Sequence, residues 1–220
     1  MLARTKEKDT DQTRKVIITP PNFKFVKVRI KSTAPYVQNR MSQRAREAME
    51  EAQKAGTQAA KKNRKRAHKD FDAAYRGAMH VSTEGWHGIP AAAFRNGMIS
   101  ACRTVGFAMT MAKQSVFVEA EGFDADDGQP LIRLHGKPVC FHMAVRLASG
   151  AADIAARPKF DTWWAEPTIK YDEDTFSATD VVNLLARMGI QVGIGAGRPD
   201  SKDTPGMGFG TFALDLGEAA

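Results

Sequence analysis

The sequence predicts an α+β domain of the ferredoxin-like type: an antiparallel sheet with two helices and a long basic insertion after the first strand. Three observations point there. The candidate elements run strand, helix, strand, strand, helix, strand, over 23–32, 89–105, 114–119, 160–171, 178–188 and 208–216. The strands alternate with period two, whereas the helices place apolar residues at core spacing. The stretch between the first strand and the first core helix, 34–88, holds the densest cationic run of the chain.

Each element has its local reason. Residues 1–21 are charged and end in Thr19-Pro20-Pro21, which reads as a flexible arm. Phe23 to Lys31 alternates. Phe23, Phe25, Val28 and Ile30 form the expected buried side, with Val26 out of phase. Lys24, Lys27, Arg29 and Lys31 form a cationic outer face. Ala34-Pro35-Tyr36 breaks the strand. Ser42 is a candidate N-cap for a helix from Gln43 to Lys54 that ends near Gly56. Residues 56–70 read as a flexible basic loop, and 71–88 as an aromatic-rich connection. Pro90 suits a first helical turn, and Phe94, Met98, Ile99 and Cys102 give the following helix its core face. Short strands are expected at 115–120, 131–134 and 139–146, the last two outside the core unit, with an acidic turn at Asp124-Ala125-Asp126-Asp127-Gly128. Two strands flank Pro167, at 159–164 and 168–171. Ser177 starts a helix over Val181, Val182, Leu184, Leu185 and Met188 that Gly189 caps. Final strands are expected at 190–194 and 210–216. The domain reading is an arm over 1–21, one domain over 22–216 with insertion 34–88, and a tail over 217–220.

Composition bounds the function. At 220 residues and 43% hydrophobic the chain can bury a sizeable core. It has no run of eighteen apolar residues, and its first fifteen residues lack an apolar segment. No membrane span and no secretory signal are therefore expected, and the expected location is cytoplasmic. Two cysteines, Cys102 and Cys140, are read as buried reduced thiols. Charge is polarised: residues 1–70 carry 19 Lys/Arg against 7 Asp/Glu, and residues 71–220 carry 13 against 18. A basic excess confined to the first third points to a polyanion.

The glycine-rich segment near the C-terminus runs Val192-Gly193-Ile194-Gly195-Ala196-Gly197-Arg198-Pro199 and reaches Gly206-Met207-Gly208-Phe209-Gly210-Thr211-Phe212. It follows a helix and leads to a strand, so it is not a dinucleotide fingerprint. Its amides could cradle an anion as a nest, with Arg198 beside them. A tight, close-packed turn is the competing reading. This segment resembles the glycine-rich loop of the RAMP superfamily, RNA-binding proteins of CRISPR systems built on a ferredoxin-like (RRM-type) fold. A broader resemblance, to an uncharacterised family of tailed phages, spans most of 26–214. It is carried by Val28-Arg29-Ile30, by Ala34-Pro35-Tyr36-Val37-Gln38-Asn39-Arg40, by Gly88-Ile89-Pro90-Ala91-Ala92-Ala93-Phe94, by Val182-Asn183-Leu184-Leu185, and by the glycine segment. The RAMP resemblance implies nucleic-acid binding, and the phage resemblance implies DNA before RNA.

The expected binding set is Arg29, Lys31, Tyr36, Arg40, Arg44, Lys61, Lys62, Arg64, Lys65, Arg66, Lys69, Trp86, Gly193, Gly195, Gly197 and Arg198. Cations would neutralise phosphates and release counterions. Tyr36, Tyr75, Trp86, Trp163 and Trp164 are the candidate stacking surfaces. Trp163 and Trp164 are adjacent, so a strand points one inward and the other out. Enzyme signatures are absent: no Gly-x-Ser-x-Gly, no P-loop, and Cys140 and His142 without metal-site company. Asp124, Asp126 and Asp127 lack the closing glutamate of a calcium loop, because His135 stands at the twelfth position. The sequence thus predicts a non-enzymatic, sequence-tolerant binder of single-stranded nucleic acid, DNA favoured, needing no cofactor or metal. Protomers would line up along the strand as a homo-oligomer or filament, and a phage protein would act in the host cytoplasm. The alternatives are a virion or assembly protein touching nucleic acid, and a RAMP-type metal-independent endoribonuclease using His80 or His87.

Overall fold

The computed structural model describes residues 19–59, 69–146, 150–201, 206–215 and 217. In chain order the elements begin with β1 (Phe23–Lys27), β2 (Ile30–Ser32), β3 (Tyr36–Val37), α1 (Gln43–Ala59), α2 (Phe71–Gly77), β4 (Gly88–Pro90) and α3 (Ala91–Ala101). They continue with α4 (Met109–Ser115), β5 (Val116–Glu119), β6 (Gly122–Phe123), β7 (Pro130–Arg133), β8 (His135–Arg146) and β9 (Ala152–Ala165). The last are β10 (Thr168–Asp172), α5 (Ala178–Arg187) and β11 (Phe212–Leu214). The protein is α+β with antiparallel sheets.

The main sheet is organised by two long strands, each broken once. β1 and β2 flank a break at Val28-Arg29; β9 and β10 flank one at Glu166-Pro167. Proline cannot donate to a ladder, which explains the second break. The two breaks meet: the Val28 N–H donates to the Pro167 carbonyl at 3.2 Å. On one side of the bend the order is β1-β10-β5; on the other it is β11-β2-β9. β3 continues alongside β9 in nearly the register of β2, with Ile30 opposite Ala165 and Tyr36 opposite Phe160. Read through the bends, the order is β11, then 23–37, then 152–172, then β5. A separate three-stranded sheet, β4-β7-β6, lies apart from it.

The helices cover one face. α3 buries Phe94, Met98, Ile99 and Ala101, and its Gly97 leaves room for Met188, whose Cε would lie 2.5 Å from a Cβ there. α5 starts at a capping box: the Ser177 hydroxyl accepts from the Asp180 N–H at 3.1 Å, and the Asp180 carboxylate accepts from the Ser177 N–H at 3.0 Å. Its buried Val181, Leu184 and Leu185 contribute about 2 kcal/mol each by leaving water. They meet Ile30, Phe160, Trp163, Ile169 and Phe212 in one core.

Several expectations need correction. The helix expected to stop at Gly189 continues through a π-helical turn, Met188–Val192, so no strand forms at 190–194. Gly189 is a contact residue instead: a Cβ there would lie 2.3 Å from the Phe212 carbonyl oxygen. Residues 139–146 do not stand apart, because β8 pairs with β9 along its length. The alanine-rich start of β9 concealed that pairing. α2 and α4, one turn or two each, were not anticipated. α2 has a clear cause, since Asp70 accepts from the Ala73 N–H at 2.9 Å. Cys140 is exposed, whereas Cys102 is buried as expected. Among the described residues no helix is long and apolar enough to cross a membrane.

Gly210 is where the two glycine stretches cross. Its φ is 70°, and a Cβ would fall 1.8 Å from the Ile194 carbonyl oxygen. Gly208 has φ 74° but nothing within 4 Å of its would-be Cβ. Gly208→Ala should therefore cost about 1 kcal/mol from backbone strain alone. Gly210→Ala should cost about 3 kcal/mol or more, because backbone must also move. Urea unfolding of the two variants against the parent checks the difference.

Candidate nucleic-acid interface

A β-strand sends alternate side chains to opposite faces, so the inward set fixes the outward one. In the first strand the inward set is Val26, Val28 and Ile30, all packed on or in the core. Phe23, Phe25, Lys27, Arg29 and Lys31 consequently face away from the helices. This reverses the expected placement of Phe23 and Phe25. Phe25 is 59% exposed. Lys170 on β10 stands opposite Phe25, and Phe117 on β5 stands opposite Lys170. Phe23 meets Phe117 edge to face at 5.7 Å, and the Lys170 ammonium lies 4.8 Å from the Phe23 ring centre. The result is an open platform of three phenylalanines around a lysine. The unbroken aliphatic series at 26, 28 and 30 was the signal that could have revealed it.

Beyond the bend the same face carries charge. Arg29 pairs with Glu166 at 3.6 Å and Asp215 at 3.2 Å, and Lys31 pairs with Asp215 at 3.3 Å. Both expected cations are therefore on the surface, engaged in exposed ion pairs. Trp164 projects here, with Arg29 at 4.0 Å from its ring centre and His135 stacked parallel at 3.5 Å. Trp163 points the other way and is buried, as adjacent strand positions require. Trp86 is part-exposed on this side, with Arg133 at 5.0 Å from its ring.

Other members of the expected set lie elsewhere. Tyr36 is a core residue, 3% exposed, against Phe160 and Trp163, and burial pushes its phenol well above the ordinary value. It offers no face to a base, because the strand 23–37 turns it inward. Arg40 is likewise not a surface cation. It donates to the Met79 carbonyl at 2.9 Å, contacts Asp126, and stands 3.9 Å from both Asp124 and Asp127. The acidic turn thus surrounds a buried guanidinium, and breaking such a pairing costs about 3–5 kcal/mol. Lys69 is held by Asp153 at 2.9 Å and by the Ile154 carbonyl. Lys61, Lys62, Arg64, Lys65 and Arg66, and the side chain of Arg44, lie outside the described residues.

The glycine segment is close-packed. Gly193, Gly195 and Gly197 all have φ near +70°. A Cβ on Gly195 would meet the Tyr36 ring and the Val37 carbonyl at 2.5 Å. The N–H groups of Gly193, Ile194 and Ala196 donate to the carbonyls of Met188, Gly210 and Val37. Those three amides are turned into the protein and not toward an anion, and the backbone packs closely at Gly195. Arg198 donates back to the Gly195 carbonyl at 3.3 Å.

No protein-family model matches this chain, and no curated protein matches its sequence.

Among the described residues no group of three or more His, Cys, Asp or Glu is placed to hold a metal ion. Of the two histidines of the ribonuclease alternative, His80 is buried and His87 is half-buried. His80 Nδ1 lies 2.8 Å from the Asp124 carboxylate, and its backbone N–H donates to Gln38 at 3.1 Å. Burial lowers its pKa, outweighing the opposite pull of Asp124. Burial raises Asp124 in turn, but the Asp126 amide, His80 and Arg40 hold it below the ordinary carboxylate value. At neutral pH the pair is thus a neutral imidazole donating from Nδ1 to an ionised carboxylate. His87 packs edge-on against Phe160 and is also lowered by burial. His135 is lowered for the same first reason.

These shifts set the sign of a pH dependence. The unfolded chain binds protons at histidines from pH 6.5 downward, where the folded protein resists them. Their contribution to stability is complete above pH 6.5 and is lost as pH falls from there toward the folded values. Thermal melts should show a lower Tm at pH 5.5 than at pH 7.5, and His80→Asn should narrow that difference. An undiminished difference in His80→Asn would locate the effect elsewhere.

Proposed function

We propose that this protein binds single-stranded nucleic acid on the open face of its sheet, without catalysing a reaction, and that its fold is the ferredoxin-like split β-α-β. The strand order supports the fold reading. β11, 23–37, 152–172 and β5 follow the order four, one, three, two, with α3 and α5 as the two crossovers. The helices occupy one face and leave the central strands open on the other.

The observation that carries the binding reading is Phe25. Phe25 is 59% exposed on β1, the edge strand of the β1-β10-β5 half of the sheet, and with Phe23, Phe117 and Lys170 around it forms an aromatic patch that a partner can cover. RRM sheets stack two or three bases on aromatics in this situation. Phe23, Phe25 and Phe117 would stack bases, Lys170 would meet the backbone, and the run 61–66 would add counterion release. The resemblance to RAMP proteins agrees with this mode of binding, and the phage resemblance favours DNA. Protomers would then line up along a strand. The ribonuclease reading has the His80–Asp124 contact in its favour, and RNA cleavage without metal, lost in His80→Ala, would establish it.

Fluorescence anisotropy with labelled single-stranded DNA, RNA and duplex DNA across a salt series tests the proposal. Phe25→Ala should weaken single-strand binding by about fivefold to a hundredfold, the range of one stacked base. Lys170→Ala should flatten the salt dependence by about one phosphate contact. Changing Lys61, Lys62, Arg64, Lys65 and Arg66 together to Ala should weaken binding and flatten the slope further. Unchanged affinity in Phe25→Ala, or equal binding to duplex, overturns the platform and favours an assembly role.

A further inference from the structure

We infer that the cleft beside the phenylalanine platform reads one base of the bound strand and takes guanine. This rests on the single-strand reading above and adds a preference at one position. The cleft has a volume of about 380 Å³, within the range of small-molecule pockets.

Its walls are planar. Trp86 lies over Gly122, where a Cβ would fall 2.6 Å from the ring, and its indole N–H donates to Glu84 at 3.0 Å. Trp164 and His135 also line the cleft, stacked on each other with planes that differ by 1°. Lys27 lines the cleft as well, with its ammonium 3.3 Å from Glu166 and 4.0 Å from Glu121.

The polar groups discriminate among ligands. Glu121 accepts from the Arg133 N–H at 2.6 Å with one oxygen. Its other oxygen, and both oxygens of Glu166, stand in ion pairs of 3.3 to 4.0 Å, longer than a good hydrogen bond. They keep lone pairs for donors. Lys27, Arg29 and Arg133 are balanced by Glu84, Glu121 and Glu166. Its lining balances Lys27 and Arg133 against Glu121 and Glu166, so it does not concentrate phosphate, while its carboxylates offer acceptors that the N–H groups of a base can meet. Guanine presents two adjacent donors, N1–H and N2–H, to one carboxylate and its O6 to Lys27. Thymine and uracil present a single N–H between two carbonyls, which would face the carboxylates. Adenine and cytosine present one amino group. Charge-assisted pairs are the stronger ones, so guanine ranks first.

The test compares an all-thymine strand, the same strand with one central guanine, and the same strand with hypoxanthine there, which lacks the N2 amino group. Guanine should tighten binding by about tenfold over thymine, as one bidentate contact does, with hypoxanthine between. Glu166→Gln and Glu121→Gln should each bring the guanine-to-thymine ratio toward one, with folding checked by thermal melts. The comparison of strands on the unaltered protein stands even if a variant does not fold. Equal binding of all three strands overturns the guanine pocket and leaves the platform reading intact. Binding of no strand overturns the nucleic-acid reading itself.

Discussion

The pairing of 23–37 with 152–172 is the constraint on which the rest depends. It places Val26, Val28 and Ile30 against the helices, and period two then leaves no choice for the residues between them. A slip of one residue would bury Lys27, Arg29 and Lys31, at several kcal/mol for each uncompensated charge. Register is therefore strongly specified, and the open face with Phe23, Phe25 and Lys170 is its by-product. The bend where Val28 meets Pro167 divides that face. Aromatics gather on one side of it, and paired charges with the two part-exposed tryptophans on the other.

The glycine segment shows how one pattern serves two physical ends. Positive φ, little side chain and free amides suit an anion nest. The same features let two backbones cross at contact distance. Here the neighbours decide. Tyr36 needs the space beside Gly195, and the Val37 carbonyl takes the Ala196 amide. The segment fastens the C-terminal strand to the start of the sheet, a packing task that needs no ligand. Tyr36 leaves the surface for the same reason, since it fills the space that Gly195 leaves open.

Much of the fold was legible, because it rests on local signals. The capping box at Ser177, the apolar spacing of α3 and the alternation around Pro167 each mark an element without help from distant residues. What was missed depends on partners far away in sequence. Phe23 and Phe25 are apolar and were read as core; only the continuous series at 26, 28 and 30 contradicts that. Arg40 looked like one more cation of a basic segment, while its partners lie at 124–127. The strand at 139–146 was expected, but its partner was not, because the alanine-rich half of β9 carries no strong strand signal of its own and is a strand through its pairing with β8. The site was legible as a chemical class, cations with aromatics, and less so as positions, because exposure is a tertiary property.

Charge on the proposed interface argues for a division of labour. Lys27, Arg29 and Lys31 already hold carboxylates at the surface, and exposed pairs of this kind contribute only about 0–1 kcal/mol each. A phosphate can therefore displace Glu166 or Asp215 from them at small cost, but the gain is equally small. Lys170 differs, since its ammonium sits over aromatic rings rather than against an acid. A backbone that follows the rings meets it without first breaking an ion pair to any of the described residues. On this reading the long-range pull comes from the basic first third of the chain, whose excess of cations is uncompensated in sequence. The sheet face then adds short-range stacking, which salt screens little. Affinity that keeps a substantial part of its strength at high salt is the consequence of that division. A purely electrostatic arm would leave no such remainder.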